Sequence, residues 1–185
     1  MVGSVALILV TMALAGSDVG NPAPFEVQGF RSQIDVEIAA PVETVFDAAT
    51  GDVTGWWDHS FAEDPAEMVI EPLFGGRFYE RFSQDGADGA LHATVIYVNA
   101  PSQLRLDGPL GLSGRAVDLV TTWTLQPSEA GTLFTVDLSM AGEIDPPLAE
   151  AVTRVWDHFI RERLKPYVES GCHLAPDEPC EVFVE

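Results

Sequence analysis

Basic residues are scarce in this chain: 9 Lys and Arg stand against 29 Asp and Glu, a formal net charge of -20 over 185 residues. A surface this acidic repels phosphate backbones and anionic lipid headgroups, so no nucleic-acid partner is expected. Cysteine is nearly absent, with Cys172 and Cys180 the only pair. Together with His173 they supply too few ligands for a structural metal centre, and no metal or cofactor is expected. The glycine-rich phosphate loop, the nucleophile elbow and the zinc-protease helix motif are all missing, which removes the strongest sequence signatures of catalysis and favours binding. Long apolar runs are missing as well. The run over residues 5–14 falls short of the ~20 residues that a bilayer-spanning helix needs, so no stable membrane anchor is expected.

That short run, followed by Ala13-Leu14-Ala15, has instead the form of a secretory signal, although no Lys or Arg precedes it. The expectation is a leader over residues 1–15 and a linker over 16–33 in a secreted or periplasmic protein, with a cytoplasmic location as the alternative. In an oxidising compartment Cys172 and Cys180 can pair and staple a C-terminal tail over residues 171–185. Kept reduced, they would be a free and inert pair.

Apolar residues make up 46% of the chain, enough for one core, and the length suits one domain. The domain is placed at residues 34–170. Residues 34–38 alternate apolar and polar, the mark of a strand with one buried face. Pro41 opens a helix over 41–50 with Val42, Val45, Phe46 and Ala49 on one stripe. Residues 52–57 read as a second short helical turn carrying Trp56 and Trp57. Strands follow over 68–71, 76–83, 91–99, 103–107, 117–126 and 132–140, separated by Gly, Asp-Gly and Pro breaks. Residues 146–167 place Leu148, Val152, Val155, Trp156, Phe159, Ile160 and Leu164 at helical spacing, with a bend or end near Pro166. The fold class expected is α+β: a curved antiparallel sheet of about seven strands wrapped on a long C-terminal helix, with two short helices after strand 1.

Several ordered segments carry a family resemblance. Residues 34–50, with a strand leading through Pro41-Val42 into a helix, are followed by Trp56-Trp57. Glu71-Pro72-Leu73-Phe74-Gly75-Gly76-Arg77-Phe78 forms a turn into a strand. Residues 95–104, Thr121-Thr122-Trp123-Thr124-Leu125 and Gly131-Thr132-Leu133-Phe134-Thr135 complete the set. Over residues 34–170 the chain resembles the START-like superfamily, also called SRPBCC or helix-grip proteins, and within it the homologues of the activator of the heat-shock-protein-90 ATPase. Ser102-Gln103 replaces that family's more usual basic step. The resemblance implies a helix-grip fold with a cavity for an apolar or amphipathic molecule. An export signal and a two-cysteine tail depart from a cytosolic chaperone activator, so a role on the chaperone is discounted.

The candidate ligand-binding residues are Trp57, Phe61, Phe74, Phe78, Glu80, His92, Trp123 and Trp156. Alternation in Phe78-Tyr79-Glu80-Arg81-Phe82 sets Glu80 beside Phe78 and Phe82, where a buried carboxylate needs a partner or a proton. His92 is either a polar group in the cavity or an ordinary strand histidine. His59 is read as a loop residue at the mouth, His158 as lying on the polar side of the last helix, and His173 as part of the tail. No residue is nominated as catalytic. Three functions stay open: a binding domain for a small apolar or amphipathic molecule; a polyketide-cyclase-like or hydrolase-like enzyme with Glu80 or His92 as base; and a partner-regulating domain with a filled core.

Overall fold

Residues 23–175 and 178–183 are described by a computed structural model; the expected leader and the start of the linker lie outside them. The first strand, β1 (Gln28–Ile38), begins ahead of the alternation at residue 34. Its early residues are largely exposed and are held by backbone pairing, from Gln28 opposite Gly142 to Ile38 opposite Thr132. Hydrophobic periodicity reports only the half of the strand that buries Ile34, Val36 and Ile38.

Helix α1 (Val42–Ala49) starts at Pro41 and buries Val42, Val45, Phe46, Ala48 and Ala49. The second helix expected at residues 52–57 does not form. Gly51–Asp52 is instead a short strand, β2, and the chain then makes one turn in which the Trp56 and Trp57 amides both donate to the Val53 carbonyl. Both tryptophans are buried by that turn.

The remaining strands are β3 (Glu67–Ile70), β4 (Arg77–Arg81), β5 (Gly89–Asn99), β6 (Gln103–Asp107), β7 (Val117–Ser128) and β8 (Gly131–Gly142). They form one antiparallel sheet of eight strands in the order β1-β8-β7-β6-β5-β4-β3-β2, a meander closed at one side by the N-terminal strand. Its inner face is built by strict alternation: Leu119, Trp123 and Leu125 from β7, and Phe134, Val136, Leu138 and Met140 from β8, are all buried.

The C-terminal helix covers that face. It runs as α2 (Pro146–Asp157), then a π-helical stretch (His158–Leu164), then α3 (Lys165–Glu169). Asp145 caps its start, accepting from the Leu148 amide at 2.8 Å. Near Pro166, where a bend or end is expected, the helix is irregular just before the proline and ends shortly after it, at Glu169.

The α+β helix-grip expectation therefore holds, with β2 as the strand that raises the count. Beyond the helix, Cys172 and Cys180 form a disulfide. The tail packs back through both cysteines and Phe183, whose ring lies 3.5 Å from the Arg163 guanidinium carbon.

Candidate functional site

A cleft of about 320 Å³ opens between the sheet and the C-terminal helix. Leu148, Ala151, Val152, Val155, Trp156 and Phe159 form its helical wall. Leu119 of β7 and the segment Pro109-Leu110-Gly111-Leu112 face them from the sheet side. Trp57, His59, Ser60 and Phe61, from the loop after β2, border the mouth. The lining is apolar apart from a few groups, of which His59, Ser60 and His92 carry polar side chains.

An aromatic chain ties these walls together. Trp57 stacks on Phe159 at 3.9 Å and meets Phe78 and Trp156 edge-on at 4.8 and 5.8 Å. Trp156 continues edge-on to Trp123 at 6.3 Å, and Trp123 to Phe134 at 5.7 Å. Edge-to-face contacts of this kind add to the burial of the rings and fix their orientation.

The structure brings Trp57, Phe61, His92 and Trp156 to the cleft surface. Phe78 and Trp123 are fully buried one layer behind, as supports of Trp57 and Trp156. Phe74 is elsewhere: it is 79% exposed at the turn before β4 and lines no part of the cleft. The turn Gly75-Gly76 hydrogen-bonds to Val95 through its backbone, which leaves the Phe74 ring pointing away from the core.

His92 reaches the interior through a break in strand regularity. Phe78 pairs with Ala93 while Tyr79 pairs with Leu91, so His92 is the extra residue of a β-bulge. His92 and Ala93 are consecutive and both buried, which no regular strand permits. The close crossing is possible because residue 108 is glycine; a Cβ there would lie 2.5 Å from the His92 carbonyl oxygen. Leu110, which also lines the cleft, has φ of 50°, a left-handed conformation that is uncommon for a residue with a side chain and that concentrates at functional sites.

Glu80 stands behind His92 with its side chain fully enclosed. Its partner is not an Arg. The carboxylate accepts from the Phe61 amide at 3.0 Å and the Ala62 amide at 2.7 Å, and lies 3.2 Å from His92 Nε2. A carboxylate already accepting two amide hydrogens takes Nε2 as a donor, and the ring's other polar contact is a hydrogen bond with the Leu110 backbone, which likewise favours the protonated ring. Burial pushes the His92 imidazole below its ordinary value, and Glu80 and the Leu110 backbone only partly oppose this. The ring is sandwiched by Phe61, near-parallel at 5.7 Å, and Phe78 at 4.8 Å.

Asp58, which the sequence reading passed over, lies beside the mouth. Its carboxylate meets His59 Nδ1 at 2.9 Å, His158 Nε2 at 2.8 Å and Arg163 Nε at 3.3 Å. Partial burial works to raise its pKa, but the hydrogen bonds with His158 and His59 overcome that and hold it below the usual value. His158 carries the converse balance: burial would lower it, and the bonds to Glu162 and Asp58 bring it above the usual imidazole value. No signal in the sequence linked Asp58 to His158, because they are a hundred residues apart. Two further buried polar atoms, Thr121 Oγ1 and Trp123 Nε1, follow Leu119 along the inner row of β7 and have no hydrogen-bond partner among the described residues.

With this geometry in place, comparison with known proteins adds the family. Residues 30–170 match the family described as polyketide cyclase / dehydrase and lipid transport. The chain belongs to this family. It is thus a START-like, helix-grip protein, as the ordered segments from residue 34 onward suggest. No curated protein matches it.

Among solved structures, an uncharacterized protein from Rhizobium leguminosarum aligns at 18% identity and TM-score 0.59, covering 80% of this chain and 99% of that one. A protein of unknown function from Staphylococcus aureus aligns at 12% identity and TM-score 0.61, covering 80% and 98%. An AHSA1-like protein from Aeromonas hydrophila aligns at 21% identity and TM-score 0.54, covering 78% and 95%. These likenesses establish the shared START-like fold.

Proposed function

We propose that the cleft of this START-like protein binds a small apolar or amphipathic molecule. The observation that carries the reading is the cleft itself: about 320 Å³, within the usual range for small-molecule sites, apolar along both walls and provided with a few convergent polar groups. An apolar body would lie against Leu119, Val152 and Val155, and a polar end would reach His59 or His92. We propose equally that the chain is exported, which rests on the apolar run and small-residue step over residues 5–15.

Saturable binding of one apolar fluorescent dye or medium-chain fatty acid per chain, with a change in tryptophan emission, is the expected result. Ala151→Trp, which fills the cleft from α2, should abolish that binding while leaving the far-ultraviolet circular dichroism unchanged. A parent protein that shows no saturable uptake overturns the reading in favour of a filled, partner-regulating domain.

A second reading, a cyclase-like or hydrolase-like enzyme, is favoured by one arrangement: a neutral histidine in the cleft wall backed by a buried carboxylate. There His92 would act as general base, and Glu80 would orient it. Under that reading His92→Gln loses turnover and keeps affinity for the bound molecule; equal loss of both leaves binding alone.

A further inference from the structure

At the mouth of the cleft, Asp58, His59 and His158 bring their ligating atoms within 4.8 Å of one another. Asp58 Oδ1 faces His59 Nδ1 at 2.9 Å, and Oδ2 faces His158 Nε2 at 2.8 Å. Two imidazoles and a carboxylate from two separate elements, the loop after β2 and the C-terminal helix, thus converge on one point.

We infer that these three residues form a site for a divalent transition metal, zinc by the chemistry of the donors, with an open coordination position beside the cleft. Two imidazoles and one carboxylate suit zinc, and three protein ligands are the pattern that keeps a position free for water or another molecule. Metal–ligand bonds near ~2.1 Å require donors roughly 3.3 Å apart in a tetrahedral arrangement. The two Asp58–histidine contacts need to open by about half an ångström, as the proton of a hydrogen bond gives way to a larger ion, while the donor atoms, which lie within 4.8 Å of one another, draw in to that spacing.

Two independent features support the assignment. His158 Nδ1 lies 2.8 Å from Glu162 Oε2; donation of that N–H to a carboxylate leaves Nε2 free as a ligand and raises its basicity. His158 also begins the π-helical stretch of the helix, a distortion frequent at functional sites. Arg163, 3.3 Å from Asp58 Oδ2, is the opposing charge, and it lowers the affinity below what the donors alone would give. The formal net charge of -20 acts the other way and concentrates cations at the surface. Of the remaining polar side chains at the mouth, Ser60 bonds its hydroxyl to the Ala62 carbonyl and takes no part. The open position would face water or a carboxylate or carbonyl group of a molecule in the cleft, but metal uptake does not depend on that molecule.

The test is calorimetric titration of zinc chloride into tag-free, metal-stripped full-length protein, alongside tryptophan emission. One equivalent should bind saturably. His59→Ala and His158→Ala should each weaken binding by ~100-fold or more, and Glu162→Gln by ~10-fold, as expected for an outer partner of a ligating histidine. His173→Ala, in the tail, should leave it unchanged. His59 has 54% of its side chain exposed, so its variant keeps the fold and decides the matter even if the His158 variant does not. The inference is overturned if the parent takes up no stoichiometric zinc, if His59→Ala binds as tightly as the parent, or if His173→Ala is the variant that loses binding.

Discussion

Glu80 and His92 are the residues whose behaviour depends most on where the fold has put them. Glu80 alternates inward from β4 as its neighbours Phe78 and Arg81 dictate, and its acceptors are met by two amides of the mouth loop and one imidazole. It therefore fastens the loop bearing Trp57 and Phe61 to the sheet, which gives a buried carboxylate a structural duty beside any chemical one. His92 is held neutral, since burial lowers its pKa from 6.5 against the pull of Glu80 and the Leu110 backbone. The unfolded chain then takes up this proton before the folded one does. Stability attached to the neutral ring is complete above the ordinary value of 6.5 and falls away as the pH drops below it toward the folded pKa. Melting temperatures in metal-free buffer between about pH 7 and about pH 5 should fall for the parent and fall less steeply for His92→Gln. Parallel slopes for the two proteins would contradict a buried neutral His92.

Among the elements, the C-terminal helix and its tail show how covering and closure are divided. The helix supplies Trp156, Phe159, Ile160 and Leu164 to the core, and His158, the first residue of its π stretch, meets Asp58. The tail after Gly171 adds a disulfide and lays Cys172, Cys180 and Phe183 against the core's rim. The bridge spans a sequence separation of 8. A loop of that length restricts the unfolded chain by roughly 2 to 3 kcal/mol at most. Cys172→Ser with Cys180→Ser should therefore lower unfolding free energy in urea by about 1 to 3 kcal/mol with an unchanged m-value. Loss of folding altogether would mean that the tail is part of the core and not a staple on its edge.

For the whole molecule, charge imbalance is the dominant global term. With 29 acidic against 9 basic residues, like charges crowd the folded surface more than the expanded chain, and this self-repulsion opposes compactness. The described ion pairs are mostly exposed, such as Arg154 with Glu150 and Arg161 with Asp157, and pairs of that kind contribute little. Screening should then relieve more repulsion than it removes attraction. The melting temperature is expected to rise between about 20 mM and about 500 mM sodium chloride, across which the Debye length contracts severalfold. A fall with salt would show that the ion pairs outweigh the repulsion.

What the sequence by itself determined is whatever depends on local periodicity and short-range chemistry. The alternation Ile34-Val36-Ile38, Pro41 at the entrance of α1, the turn residues between strands and the helical recurrence from Leu148 to Leu164 were enough for an antiparallel sheet covered by a C-terminal helix. They also placed the Trp57 and Trp156 rings among the candidates that line the cleft. Only the tertiary structure decided the rest. Phe74 has the composition of a lining residue, but the backbone pairing of Gly75 and Gly76 with Val95 turns it to solvent. His92 and Ala93 could not both face inward in a regular strand, and the bulge that makes His92 the extra residue lets them. Asp58, His59 and His158 meet because a loop folds over a helix a hundred residues away. Period-2 and period-3.6 patterns record which face of an element is buried; bulges, turn geometry and long-range convergence arise from how elements pack against each other, and no local pattern encodes them.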